Sequence, residues 1–323
     1  MSDEGLSKLR VAVFGSPAFA LPTLEGLARR HRLLRVVAQP DKRAGRGMRV
    51  SSPPSVQRAR DLGVPVSQPE RLRKNAAFRD ELASLELDVA VTAAYGKILP
   101  ADLLAVPRHG FLNVHASLLP RYRGAAPVQW ALIRGERETG VTIMQTEAGL
   151  DTGPIRLQRR LPVGPDATAP ELLEQLATLG AEALLEALDL LAQDRLPCEP
   201  QDDAQATQAP MLTREDGRVR WEEPADAVYG RHRGVAGWPG SHFQWQGETV
   251  KVPSLRPSRS NAVPPDSGAP APGTVLGHED SGLRVACGQG VIVLESVQPA
   301  GKRAMPARDW ANGRAVRPGV RLG

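Results

Sequence analysis

The chain has 323 residues, with 41 Lys and Arg against 36 Asp and Glu, which gives a formal net charge of +5. This length allows one to three domains and a sizeable buried core. No apolar run is long enough to span a membrane, and the first ten residues lack the apolar core of a signal peptide, so we expect a cytoplasmic protein. The cysteines Cys198 and Cys287 lie far apart without a CxxC pattern, which argues against a disulfide framework and a metal site.

The first strand pattern covers residues 10–15, and residues 16–30 are predicted to form a helix with Ser16 as N-cap and Pro17 at its first position. Strand and helix patterns then alternate. Strands are predicted at 33–40, 87–94, 111–115 and 140–147, and helices at 53–63, 125–135 and 167–193. This alternation favours an α/β fold with a mainly parallel sheet, in which ligands bind at the carboxyl ends of the strands. Gly15 is the sole glycine of "FGSPAFALP", so the turn after the first strand does not predict a dinucleotide site.

The segment 194–210 is polar, contains proline and has no periodicity, and it is predicted to be an interdomain linker. After it, short strand patterns separated by turn residues are typical of a small antiparallel barrel, with 253–273 as an irregular loop. Trp238, His242, Phe243 and Trp245 could form a surface for stacking, but the favoured prediction places Trp238 and Phe243 in the core of this barrel. Residues 206–323 carry 15 Lys and Arg against 11 Asp and Glu, so most of the positive excess lies here.

Asn113 and His115 are two residues apart on the strand predicted at 111–115, so their side chains share one face at its carboxyl end. Asp151 follows the next strand in a loop between glycines. An amide can donate to a developing oxyanion, an imidazole can exchange a proton near neutral pH, and a carboxylate can orient that imidazole. Because no nucleophile elbow frames Ser117, the pattern fits transfer to an external nucleophile, such as a substrate amine. Taken singly, such residues are more often packed histidines and turn aspartates.

The chain resembles the methionyl-tRNA formyltransferases from about residue 9 to its end, through the stretches "LNVHASLLPRYRGAAPVQWA", "GVTIMQTEAGLDTGPI", "QPDKRAGRGM" and "VTAAYGKILP". The resemblance implies a Rossmann-like catalytic domain at 1–193, a linker at 194–210 and an OB-like, tRNA-binding barrel at 211–323. It also implies a role in translation initiation, with 10-formyltetrahydrofolate as formyl donor and initiator methionyl-tRNA as acceptor. We expect a monomer that binds no metal and does not associate with a membrane.

By the resemblance, Asn113, His115 and Asp151 match the catalytic residues of the family. The residues that would contact folate form two stretches: Ser117, Leu118, Leu119 and Pro120, and opposite them Tyr95, Gly96 and Ile98. A basic loop would enter the tRNA acceptor stem through Lys42, Arg43, Arg46 and Arg49, of which Arg46 matches the key arginine. On composition alone, the same loop is consistent with a solvated basic turn.

Three other functions are open at this point. The chain could be a sugar-nucleotide formyltransferase with the same catalytic residues, a hydrolase of formyltetrahydrofolate, or a tRNA-binding protein with an inactive catalytic domain. The basic loop at 39–50 and the basic C-terminal part would have no purpose in the first two. The intact set of Asn113, His115 and Asp151 argues against the third.

Overall fold

A computed structural model describes residues 8–44, 49–260 and 270–323. The density of contacts divides the chain into two compact units. The first unit takes the chain up to Pro127, Glu138–Val163 and Glu171–Pro210, and the second takes Val128–Arg137, Gly164–Pro170 and Met211–Gly323. The domain boundaries derived from the sequence stay a prediction.

The first unit is built on a seven-stranded sheet and also contains a short hairpin. Its strands are β1 (Arg10–Gly15), β2 (Arg32–Val37), β3 (Lys42–Ala44), β4 (Arg49–Ser51), β5 (Val66–Ser67), β6 (Val89–Ala93), β7 (Phe111–His115), β8 (Glu138–Gln145) and β9 (Ile155–Pro162). The spatial order of the sheet is β5-β2-β1-β6-β7-β8-β9. The first five of these strands are parallel, whereas β8 and β9 are antiparallel to their neighbours. The predicted α/β fold with a mainly parallel sheet is confirmed.

Eight α-helices lie in the described residues. They are α1 (Leu21–Arg30), α2 (Pro54–Asp61), α3 (Ala76–Ala83), α4 (Ala101–Leu104), α5 (Pro127–Ile133), α6 (Ala169–Ala192), α7 (Ala225–Gly234) and α8 (Ala307–Gly313). None of them, within the ranges that the structure describes, is long and apolar enough to cross a membrane.

The predicted start of the first helix is wrong. A 3₁₀ turn at Ala18–Ala20 comes first, and α1 begins at Leu21 with Ala20 as N-cap. The hydroxyl of Ser16 is not a cap, because it accepts a hydrogen bond from the Gln39 backbone N–H at 3.0 Å. Ser16 therefore joins the ends of β1 and β2 instead of starting a helix.

The core of the first unit surrounds Phe14 on β1, whose ring makes edge contacts with the rings of Phe78, Tyr95 and Phe111. Because side chains alternate along a strand, Val114 of β7 points away from the face that carries Asn113 and His115, and it packs against α6. A Cβ at Gly180 of α6 would lie 2.6 Å from Val114 Cγ1, so glycine allows the helix to approach the strand closely. This packing supports β7 from the face opposite Asn113 and His115.

The second unit is built on antiparallel strands. They are β10 (Ser241–Trp245), β11 (Glu248–Pro257), β12 (Val275–Glu279), β13 (Gly282–Ala286), β14 (Val291–Gln298) and β15 (Met305–Pro306), in the order β10-β11-β14-β13-β12 with β15 beside β14. Their core contains Trp221, Phe243 and Trp310, with ring centroids 5.8–6.1 Å apart along the series. The predicted antiparallel β-domain after the α/β domain is confirmed.

Two expectations for this second unit are wrong. Residues 253–257 are not part of an irregular loop, because they continue β11 and pair with β14 through contacts such as Leu255 with Leu294. Trp238 is not a core residue, since 55% of it is exposed, whereas Phe243 is buried as expected. The rest of the predicted loop includes residues 261–269, which lie outside the described residues.

Candidate active site

Asn113 lies beside Thr92, where the parallel strands β6 and β7 are in register. The Thr92 hydroxyl donates a hydrogen bond to Asn113 Oδ1 at 2.8 Å. An amide whose oxygen is held in this way must present its NH₂ group on the other side. Among the residues that the structure describes, no group accepts from the Asn113 amide nitrogen, so this donor is available to a bound molecule.

His115 ends the same strand and is buried, with 6% of its side chain exposed. Its Nε2 lies 3.0 Å from the carbonyl oxygen of Tyr122, and its Nδ1 lies 3.6 Å from Oδ1 of Asp151. Both ring nitrogens thus face oxygen acceptors. A neutral imidazole can donate to one of these, whereas an imidazolium can donate to both.

Asp151 is held in an uncommon backbone conformation, with a φ of +55°. Its Oδ2 accepts a hydrogen bond from the Gly124 backbone N–H at 2.9 Å, and its other oxygen faces His115. The structure therefore brings His115 and Asp151 together. Asn113 lies on the same face of β7 as His115, two residues before it.

The stretch Ser117–Pro120 forms a turn that hydrogen bonds to buried groups hold in place. The buried Ser117 hydroxyl donates to the Arg121 carbonyl oxygen at 2.8 Å, and Leu119 is also buried. Thr142 Oγ1 donates to the Ser117 carbonyl at 2.7 Å and accepts from the Leu119 N–H at 3.1 Å. The side chains of Ser117 and Leu119 therefore belong to the interior, while Leu118 and Pro120 are half-buried.

The stretch from Tyr95 to Ile98 likewise contains both buried and exposed residues. The Tyr95 ring is 3% exposed and packs edge-on against Phe14 at 5.4 Å, and burial raises the pKa of its hydroxyl to about 12. Its carbonyl oxygen accepts a hydrogen bond from the Gln39 side chain at 2.8 Å. Gly96 and Ile98, in contrast, are exposed, Ile98 by 74%.

The basic loop begins as an antiparallel hairpin, in which Lys42 pairs with Ser51 and Arg43 with Val50. Arg49 starts the second strand, and Arg46 lies outside the described residues. Asp41 anchors the foot of the hairpin, because its carboxylate accepts from Gln68 Nε2 at 2.7 Å and from the Ser52 hydroxyl at 2.9 Å. These two hydrogen bonds lower the pKa of Asp41.

Four residues that contact the candidate site were not identified from the sequence. The carbonyl oxygen of Tyr122 lies 3.0 Å from His115 Nε2. Thr92 orients Asn113, Gly124 binds the Asp151 carboxylate, and Gln201 donates hydrogen bonds to the Asp151 loop. A polar residue inside the apolar strand at 87–94 was a usable signal for Thr92. Gln201 lies in a segment without periodicity, so no pattern pointed to it.

Comparison with known proteins gives consistent matches over both units. A family model described as "Formyl transferase" matches residues 8–188, and one described as "Formyl transferase, C-terminal domain" matches residues 211–315. A protein named methionyl-tRNA formyltransferase from Deinococcus radiodurans is 51% identical and covers 97% of this chain and 95% of its own length. A protein of the same name from Thermus thermophilus is 47% identical, with 98% and 99% covered.

A solved structure adds a comparison of the fold. The crystal structure of HypX from Aquifex aeolicus in complex with tetrahydrofolic acid aligns with a TM-score of 0.62 and 18% identity. The alignment covers 94% of this chain and 47% of that chain, so this chain spans about half the length of HypX. The likeness shows a shared fold.

Proposed function

This chain belongs to the methionyl-tRNA formyltransferase family, and we propose that it transfers the formyl group of 10-formyltetrahydrofolate to the α-amine of initiator methionyl-tRNA. The observation that supports this reaction best is the 3.6 Å contact between His115 Nδ1 and Asp151 Oδ1 beside the available Asn113 amide. An acyl transfer to an amine needs an oxyanion donor and a group that relays a proton, and these side chains supply both.

In the proposed reaction, the methionyl nitrogen attacks the formyl carbon, and the bond from that carbon to N10 of the folate then breaks. Asn113 Nδ2 would donate to the formyl oxygen as it gains negative charge. His115 would relay the proton that leaves the amine to the departing N10, so that no net proton is gained or lost. Asp151 would stabilise the imidazolium while that proton is held.

The proposed folate pocket uses the two stretches unequally. Leu118, Pro120, Gly96 and Ile98 keep accessible surface and would contact the pterin. Ser117, Leu119 and Tyr95 would keep the pocket in shape from beneath its surface, because 3% or less of each residue is exposed. The exposed fraction of Ile98, at 74%, is large for an isoleucine, and the flat face of the pterin ring would cover it.

The proposed tRNA contacts lie in the basic loop and the second unit. Lys42, Arg43, Arg46 and Arg49 would bind the acceptor stem, since arginine and lysine in a loop between glycines can follow a phosphate backbone. Such contacts position the tRNA and carry no sequence information by themselves.

The test is formyl transfer by the purified protein to three acceptors in parallel: charged initiator methionyl-tRNA, charged elongator methionyl-tRNA and a UDP-amino sugar. We expect formylation of the initiator methionyl-tRNA alone. Transfer to the sugar, or release of formate without an acceptor, would keep the chemistry of Asn113, His115 and Asp151 but contradict the proposed acceptor.

A further inference from the structure

The segment predicted to be a linker, residues 194–210, is hydrogen-bonded along the first unit. Its Glu199 exchanges two backbone hydrogen bonds with Ile155, at 2.8 and 2.9 Å. Further on, the Thr207 carbonyl oxygen accepts from the Arg123 N–H at 2.8 Å, and the Ala209 N–H donates to the Arg123 carbonyl at 2.7 Å. The segment is thus attached on both sides of the Asp151 loop, and Arg123 lies between Tyr122 and Gly124, which contact His115 and Asp151.

The side chain of Gln201, in the middle of this segment, is fixed by a buried arginine. Arg123 Nε and Nη2 donate to Gln201 Oε1 at 3.0 and 2.8 Å, and the Arg123 side chain is 8% exposed. Because both arginine nitrogens donate to the oxygen, the NH₂ group of Gln201 must face the other way. The orientation of the Gln201 amide follows from its partners.

That NH₂ group holds the catalytic loop. Gln201 Nε2 donates to the Asp151 carbonyl oxygen at 2.8 Å and to the Gly153 carbonyl oxygen at 2.7 Å. These two carbonyls bracket the turn whose first residue has the positive φ of +55°. A backbone held in a sparsely populated conformation needs contacts of this kind to keep it there.

We propose that Gln201 is a positioning residue for catalysis: it holds the backbone of the Asp151 loop so that the Asp151 carboxylate faces His115. Arg123 supports Gln201 from behind, and the Gly124 N–H holds the carboxylate from the other side. The segment 194–210, which belongs to the first unit, would therefore help to position the catalytic pair. The role in turnover rests on the proposed function, whereas the effect on His115 does not.

The test uses Gln201→Glu, which keeps an acceptor for Arg123 but removes the two donors to the Asp151 loop. Gln205→Glu is the matched control, because Gln205 is exposed and its side chain donates to Asp202 within the same segment. We expect Gln201→Glu to lower kcat by roughly tenfold to a hundredfold, the range expected for misplaced catalytic groups. KM for both substrates and the melting temperature should stay near wild type, and the control should match wild type throughout.

A double-mutant cycle separates positioning from general damage. If Gln201 acts through Asp151, Gln201→Glu should cost much less in an Asp151→Asn background than in the wild type. Equal costs in both backgrounds would overturn the proposal, and so would a kcat within about twofold of wild type. Gln201→Met, which lacks both halves of the amide, should lower kcat at least as much as Gln201→Glu.

A measurement without substrates keeps the outcome independent of the reaction. In ¹⁵N-histidine-labelled protein, we expect Gln201→Glu to shift the His115 ring nitrogen signals in the same direction as Asp151→Asn. The signals are assigned from a His115→Asn variant. Unchanged His115 signals in Gln201→Glu would overturn the proposal. This holds also if the activity and the melting temperature of the variant both fall, because such a fall would then reflect general damage to the fold. If the wild type fails to formylate methionyl-tRNA, the proposed function fails, while the His115 signals still decide the role of Gln201.

Discussion

The Asp151 carboxylate is shared between two partners: one oxygen lies 3.6 Å from His115 Nδ1, and the other accepts from the Gly124 N–H at 2.9 Å. The opposite nitrogen of His115 lies 3.0 Å from the Tyr122 carbonyl oxygen. Because Tyr122 and Gly124 belong to one short stretch, that stretch sets the position of both side chains, which we propose to be catalytic. In the proposed reaction, the pair would hold a proton between its removal from the amine and its delivery to the leaving nitrogen.

Asn113→Ala should lower kcat by roughly 10²–10³-fold with little change in KM, since an oxyanion donor acts mainly in the transition state. Thr92→Val should cause a smaller fall, because the amide of Asn113 would lose the hydroxyl that orients it. Steady-state formylation assays measure both effects. Thr92→Ser keeps the hydroxyl and serves as the control, and an unchanged kcat in Asn113→Ala would remove that residue from the proposed role.

Arg46→Ala should raise KM for methionyl-tRNA and leave the affinity for the folate unchanged. A lost phosphate contact should also make tRNA binding less dependent on salt. Filter binding at several salt concentrations measures the slope, and fluorescence titration measures folate affinity. Arg79→Ala is the control, because Arg79 is an exposed arginine of α3 paired with the adjacent Asp80. A weaker affinity of Arg46→Ala for folate would show that the loop contributes to the folate site, which would contradict its proposed role in binding tRNA.

His232 should make the second unit less stable in mild acid. Burial, opposed in part by Glu295, lowers the pKa of His232 to about 4, and its Nδ1 contacts the Ser241 hydroxyl at 2.9 Å. The unfolded chain binds the proton more readily, so the stability from neutral His232 is full above its ordinary pKa of about 6.5 and is lost as the pH falls towards 4. The lowered pKa of His232 corresponds to about 3 kcal/mol of folding stability that is present at neutral pH and lost in acid.

Urea unfolding followed by tryptophan fluorescence measures this effect, because all five tryptophans of the chain lie in the second unit. His232→Asn should be less stable than wild type at pH 7 and should lose less stability between pH 7 and 5. The control His278→Asn changes an exposed histidine of β12 and should keep the wild-type dependence. An identical pH dependence in His232→Asn would refute the assignment to this residue.

The sequence was sufficient for the strand that carries the site. The apolar run at 111–115 with polar residues two apart predicts the face that Asn113 and His115 share, and β7 has those bounds. The glycines around Asp151 correctly indicate a turn there. The contact of Gln201 with Asp151 could not be predicted, because it joins residues 50 positions apart through side-chain hydrogen bonds that leave no periodic pattern.

Trp238 shows a second limit of reasoning from the sequence. A tryptophan in a β-rich domain is expected in the core, because aromatic side chains bury large areas. Here the residue lies in a turn between Gly237 and Gly240, which have φ values of +84° and +79°, and its side chain reaches the solvent. Conformations of this kind depend on the local backbone path, which residue type alone does not determine.

The most direct test of the central claim is the single-turnover rate of formyl transfer by Asp151→Asn, measured by rapid quench with enzyme in excess over methionyl-tRNA. Asparagine keeps an acceptor for the Gly124 N–H but loses the negative charge beside His115. We predict an unchanged melting temperature and a transfer rate lower by roughly 10²–10⁴-fold, the range of general acid–base catalysis. Asp80→Asn, a change of a surface aspartate, is the control and should transfer at the wild-type rate. A wild-type rate in Asp151→Asn would show that Asp151 is a turn residue and would contradict the proposed proton relay.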